Sequence, residues 1–225
     1  MKIQSVHIRN YRKLKNCHID FGEKKTVLVG ANNSGKTSAI SAIVWFLKNT
    51  ERFTLKEFTV TNWALINTIG EKWLEKDSVD DALLSSQWDN IVPSMDVWIN
   101  VENGEQYRVN HLIPSLSTWD GKKVGVRGQY VPKDVTKLYT AYKEAKTKAR
   151  SLEATEEWKE ADSPELYPKN LCDFLGKGSN LREYFDVKYY IIDPALDPDD
   201  EDEVQTTPDN ELGYNPLDGL IKVDT

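Results

Sequence analysis

Residues 30–37 read G-A-N-N-S-G-K-T, a full match to the pattern G-x-x-x-x-G-K-S/T. The flanks give the match physical meaning. Residues 25–29 (K-T-V-L-V) form a short β-branched apolar run, and residues 38–48 carry helical spacing. A strand, a glycine loop and a helix in that order point backbone N–H groups and a helix N-terminus at one spot, which suits a polyphosphate. Lys36 then reaches the β- and γ-phosphate oxygens, and Thr37 offers its hydroxyl to Mg²⁺. Gly30 and Gly35 permit backbone angles and a close approach that a side chain would block. Asn32 and Asn33 tolerate unusual loop angles, Asn33 and Ser34 are further donors to phosphate, and Ser38 completes the set. The ligands implied are ATP and Mg²⁺.

Composition limits the remainder. A chain of 225 residues makes one large domain or two small ones. With 39% hydrophobic residues, seven Trp and ten Tyr, most of it should fold. Twenty-nine basic against 36 acidic side chains give a formal charge of −7, which does not advertise a nucleic-acid surface, although local basic patches remain open. Cys17 and Cys172 form neither a metal-ligand pair nor a disulfide framework, consistent with a reducing cytosol. No apolar run approaches the ~20 residues of a membrane span, and the first residues lack the apolar core of a signal peptide. A cytoplasmic location without membrane partners is expected.

Two strands are expected ahead of the loop. Residues 1–9 alternate, with Ile3, Val6 and Ile8 apolar, and residues 18–21 form a second short run. Small-molecule P-loop kinases and GTPases usually begin with the loop's own strand, and no N-K-x-D guanine-reading sequence occurs in the chain. The segment Val6-His7-Ile8-Arg9-Asn10-Tyr11-Arg12, a strand, and then residues 30–37 resemble the start of SMC-like ABC ATPases. That group includes the OLD-family ATPases often fused to Toprim nuclease domains. The resemblance implies an α/β P-loop NTPase fold: an ABC/SMC-like head lobe with an antiparallel β-layer and helical insertions. It also implies that Arg12 lies near bound ATP, with Asn10 and Tyr11 shaping the pocket's edge. Arg12 can equally be one more solvated cation in the run Arg9, Arg12, Lys13, Lys15.

After the loop, Ile40, Ile43, Val44 and Leu47 recur at helical spacing, widened by Trp45 and Phe46, and predict a core-facing helix. Residues 64–84 read as amphipathic helix anchored by Trp73, Leu74, Val79, Leu83 and Leu84. The period then changes to two at residues 96–101. Asn103-Gly104 predicts a hairpin turn into residues 106–109, and Asp120-Gly121 leads into a further strand at 123–130. In heads of the kind resembled, such a layer leads into a glutamine that senses Mg²⁺ and the γ-phosphate. Gln129 is the expected residue, with Gln87 and Gln106 as competitors. Residues 133–162 repeat apolar positions at three and four (Val135, Leu138, Tyr142, Ala145, Ala149, Leu152), a seam that fits a coiled-coil stub or one amphipathic surface helix.

Two other segments imitate catalytic motifs. Leu84-Ser85-Ser86-Gln87 echoes the L-S-G-G-Q signature but lacks its glycines, and residues 188–193 imitate a Walker B strand whose Asp193 is followed by Pro194 instead of glutamate. The acidic run 197–203 reads as a solvated loop, and residues 216–223 as a final strand. The resulting expectation is a partial ABC-type ATPase domain over 1–225. Its parts are the N-terminal strands, loop and helix (1–50), a helical insert plus meander (51–132), a helical region (133–185), and strands with the acidic loop (186–225). The C-terminal half of the ATPase, with signature and Walker B, is expected to lie elsewhere. By resemblance, the partners are a second copy through the head, a nuclease or effector, and DNA, in phage defence or DNA repair. A P-loop kinase of a small substrate and a non-catalytic nucleotide-dependent interaction module remain as alternatives.

Overall fold

A six-stranded, wholly antiparallel sheet in the order β2-β1-β3-β4-β5-β6 carries the site. The computed structural model describes residues 1–48, 53–75, 85–113, 115, 117, 119–153, 166–193 and 211–221. The strands are β1 (Lys2–Tyr11), β2 (Leu14–Asp20), β3 (Ser94–Asn100), β4 (Lys123–Pro132), β5 (Phe185–Ile192) and β6 (Glu211–Leu212). Alternation sorts their side chains onto two faces. Val6 and Ile8 of β1, Met95, Val97 and Ile99 of β3, Val124, Val126 and Tyr130 of β4 and Tyr189 of β5 join one apolar core.

Among the intervening positions, beside the buried Trp98 and Val131, several are polar yet buried: His7, Ser94, Asp96, Arg127 and Gln129. Strand register sets His7 opposite Asp96 and Asp96 opposite Arg127. Arg127 donates Nε to Asp96 Oδ1 at 2.6 Å and Nη2 to Oδ2 at 2.8 Å, and Arg9 Nη1 reaches Oδ2 at 2.7 Å. Burial by itself would raise the Asp96 pKa. The hydrogen bonds and charge of Arg127, followed by those of Arg9, outweigh it and hold the carboxyl below the usual carboxylate range.

Helix α1 (Lys36–Lys48) packs on the apolar face. Phe46 meets β4 at Gly128, where an added Cβ would come within 3.1 Å of the Phe46 ring. The free carbonyls of the last turn are satisfied by Tyr189, whose hydroxyl donates to Phe46 O at 2.7 Å, and by Asn215, whose Nδ2 donates to Leu47 O at 3.2 Å. Helices α2 (Trp63–Glu75), α3 (Val135–Glu153), α4 (Leu171–Gly176) and α5 (Asn180–Tyr184) make a second layer. Gly70 of α2 admits Leu171 of α4 and Tyr142 of α3 at distances that a Cβ would close to 2.7 and 3.2 Å.

Several expectations are corrected. Residues 25–29 are not a strand: they carry no regular secondary structure, Val27 is 64% and Val29 87% exposed, and among the described residues no strand pairs with them. Apolar β-branched composition makes a strand only where an edge is offered. Residues 106–109 form 3₁₀ turns (Gln106–Arg108, then Asn110–Leu112), so β3 pairs through a longer connection with β4. The core face of α1 is Ala39, Ala42, Phe46 and Leu47, rotated from the expected stripe, and Ile40 is 53% exposed. The seam of α3 is spent within the fold: Leu138, Tyr142 and Ala149 are buried, with Tyr142 against Trp73 and Phe174, so it is no coiled-coil stub over 135–153. Residues 216–220 are turns, and the sixth strand lies earlier, at Glu211–Leu212. Val79, Leu83, Leu84, residues 154–162 and the acidic run fall outside the described residues.

Replacing Asp96 with Asn leaves the buried Arg127 charge, and the half-buried Arg9 beside it, under-compensated, and the expected loss is about 3 kcal/mol in urea unfolding. Folding depresses the Asp96 pKa, so its contribution is present above the unfolded carboxylate value of about 3.9 and is lost as pH falls through the folded value. The Asp96→Asn variant should therefore show a flatter acid limb than the parent. An unchanged acid limb would remove Asp96 from the account.

Candidate functional site

The loop 30–37 joins the exposed segment 25–29 to α1, whose first residue is Lys36. Its shape depends on small and left-handed residues. A Cβ on Gly30 would sit 2.9 Å from Ser34 Oγ, Asn33 has φ 69°, and Gly35 has φ 95° with a hypothetical Cβ 2.9 Å from Leu14 Cδ2. Ser34 N donates to Ala31 O at 3.3 Å, and Ala39 N donates to Gly35 O at 2.9 Å to start the helix.

Lys36 Nζ folds back over this turn. It donates to Gly30 O at 2.6 Å, Ala31 O at 2.7 Å and Ser34 Oγ at 3.2 Å. The ammonium is therefore held by neutral oxygens of the loop on an exposed rim, where an anionic phosphate oxygen would be a stronger acceptor. Thr37 is exposed in the first turn and Ser38 is half-buried beside it, while Asn32, Asn33 and Ser34 line the solvent side of the loop. The donor set fits a polyphosphate, and the Thr37 hydroxyl would be the residue offered to Mg²⁺.

The β1–β2 turn abuts the loop, and its residues have separate tasks. Asn10 adopts φ 55° and acts as a joint: its Nδ2 donates to Asn90 O at 2.9 Å, its Oδ1 accepts from Asn62 Nδ2 at 3.0 Å, and its carbonyl accepts from Thr59 N at 3.1 Å. Tyr11 is fully buried, edge-on to Trp45 and Phe53, and is a core residue and not a pocket edge. Burial and the nearby Glu57 raise its hydroxyl pKa, against the opposing charge of Arg12. Arg12, at φ 50°, is ion-paired with Glu57 at 3.2 Å and lies over the Trp45 ring at 5.2 Å. Its backbone N–H also donates to Glu57 O at 2.7 Å. The turn thus places Arg12 at the flank of α1 with its charge already matched by a buried carboxylate. Lys13 Nζ donates to Asn33 Oδ1, a contact with the loop that the sequence reading left inside the basic run; nothing in spacing alone separates it from its neighbours.

Gln129 lies within β4, three residues before the strand ends at Pro132, not at its end as expected. It is 2% exposed, and its Nε2 donates to Asp89 O at 3.1 Å. Register places it between Ser94 and Lys188 on the polar face, opposite the face on which α1 packs. Its competitor Gln106 begins a 3₁₀ turn. Asp193 directly follows β5. A cavity of about 630 Å³ between α2 and α4 is lined by Trp63, Asn67, Tyr167, Cys172 and Lys177. Its cysteine is no nucleophile: Sγ donates to Trp63 O at 3.4 Å, and burial pushes the thiol up to about 12. Among the described residues no three His, Cys, Asp or Glu gather as a metal site, and no helix is long and apolar enough to cross a membrane.

With this geometry the chain belongs to the AAA ATPase domain family, which matches residues 1–195. Its class is therefore an α/β P-loop NTPase, here with an antiparallel β-layer and helical insertions. The chain is 40% identical over 43 residues to the DNA replication and repair protein RecF of Picosynechococcus sp., a stretch covering 19% of this chain and 11% of RecF. It also resembles a solved structure described as "Structural biochemistry of ATP-driven dimerization and DNA stimulated activation of SMC ATPases". That superposition has a TM-score of 0.34 at 17% identity and covers 60% of this chain and 66% of the other. The matched stretches thus span a small part of RecF and just under two thirds of the solved chain.

Gly35→Ala adds a side chain at φ 95° against Leu14. It should lower stability by about 1–3 kcal/mol in thermal or urea unfolding. Stability equal to the parent would mean that the loop does not hold this conformation.

Proposed function

We propose that this chain is the nucleotide-binding part of an SMC-like or OLD-like ABC-type ATPase head, in which MgATP bound at loop 30–37 controls engagement with DNA and with a nuclease or effector. The observation that carries the reading is the loop itself: a glycine-dependent turn at the head of α1 with the Lys36 ammonium seated on its oxygens. Phosphoryl transfer depends on positioning and charge neutralisation more than on covalent chemistry. In the proposed scheme Lys36 neutralises the β- and γ-phosphates, loop N–H groups cradle them, and Thr37 meets Mg²⁺. Arg12 joins the scheme by exchanging Glu57 for the nucleotide, whereas Gln129, buried on the sheet face opposite α1, is left out of it.

A composite site fits the surface beside the loop. Val27, Val29 and Ile40 stand exposed there, and covering them with a second lobe or a second copy would remove apolar area from water next to the nucleotide. The match to RecF supports a role with DNA over the matched segment. Roles in DNA repair or phage defence and coupling to a Toprim-type nuclease belong to the resemblance to SMC-like and OLD-family ATPases.

MgATP should bind the 225-residue chain weakly and with little turnover, and Lys36→Ala should weaken binding by at least about tenfold, one charge-assisted contact. Calorimetry with MgATP checks the first, and light scattering with and without MgATP checks for nucleotide-dependent dimerisation. Phosphate transfer to a small acceptor would favour a kinase, and a partner retained irrespective of ATP would favour a non-catalytic module. Equal MgATP affinity in Lys36→Ala and parent would refute the site.

A further inference from the structure

The β1–β2 turn meets the phosphate loop at two separate points. Leu14 packs where Gly35 has no side chain, and Lys13 Nζ donates to the Asn33 side chain. The cations of this turn are not equivalent. Arg9 is ion-paired with Asp96 and Arg12 with Glu57, whereas the Lys13 ammonium rests on a neutral amide oxygen of the loop's left-handed residue. Lys36 is held in the same manner, by two carbonyls and a hydroxyl of the loop. Two ammonium groups therefore lean on oxygens of one short exposed turn, from its two sides in sequence.

From this we infer that Lys13 is a second phosphate-binding cation of the nucleotide site, placed by the β1–β2 turn to share the negative charge of the polyphosphate with Lys36. The inference rests on the nucleotide reading above. Its physical basis is the exchange of a neutral acceptor for a charged one. An ammonium–phosphate bond is shorter and stronger than an ammonium–amide bond, and a lysine stem can swing between the two with little rearrangement. Asn33, released by Lys13, is then able to turn its own amide N–H₂ to the phosphate. The fixed part is the turn, because Asn10 ties it to residues 59, 62 and 90 and Arg12 ties it to Glu57. Lys13 thus starts each binding event from the same place.

The test is titration of the full chain with tripolyphosphate and with MgATP, comparing the parent with Lys13→Gln, Lys13→Arg and Lys36→Ala, each checked for folding by circular dichroism and melting temperature. Gln keeps a donor for Asn33 and removes the charge, so Lys13→Gln should bind both ligands about tenfold more weakly, while Lys13→Arg stays near the parent. Parent-like affinity in Lys13→Gln, with Lys36→Ala defective, overturns the inference and leaves the nucleotide site standing, with Lys13 a prop for Asn33. Equal weakening in Gln and Arg variants also overturns it, since the turn's shape and not its charge would then matter. No binding by the parent, or no effect of Lys36→Ala, removes the nucleotide reading itself and the inference with it.

Discussion

The docking of α1 on the antiparallel sheet is the contact on which the site depends. A phosphate loop is held in place by the helix behind it, and α1 is fixed at both ends. Its C-terminal turn is held by Phe46 against Gly128, with Tyr189 and Asn215 taking its last carbonyls. Its N-terminal turn is met by Leu14 at Gly35 and by the β1–β2 turn. Gly128 allows the close approach, so a strand residue without a side chain sets where the lysine of the loop stands.

The opposite face of the same sheet solves a different problem. Arg9, Asp96 and Arg127 place three charges on neighbouring strands where apolar side chains could also have packed. Such a network gives little net stability, but a one-residue slip would separate Asp96 from Arg127 and strand every member. It therefore acts on register, and correct register is what keeps Val6, Ile8, Val97 and Val126 on the face that receives α1.

The parts of this arrangement legible in the sequence were those specified locally. The loop, its helix, and the strands β1, β3 and β4 follow from motif and period, with bounds shifted by a few residues, and Gly104 and Gly121 take the positive φ that their turn sequences implied. What was illegible depended on distant partners. Residues 25–29 have strand composition but no strand to pair with among the described residues, and residues 106–109 were drawn into 3₁₀ turns with Val109 and Leu112 in the core. Asn10, Tyr11 and Arg12 look alike as a motif yet divide into a joint, a core ring and an ion-paired cation, because Asn62, Phe53 and Glu57 come from about 40 to 50 residues away. Lys13 gained its contact with Asn33 by the same route.

The central claim is that loop 30–37, oriented by α1, is where this chain meets a nucleotide. Backbone hydrogen exchange of the whole chain with and without MgATP tests it most directly, because protection is read residue by residue without altering the protein. The account predicts slower exchange confined to the amides of residues 31–40 and the β1–β2 turn. Protection absent there, or centred instead on the α2–α4 cavity around Trp63 and Lys177, would contradict it.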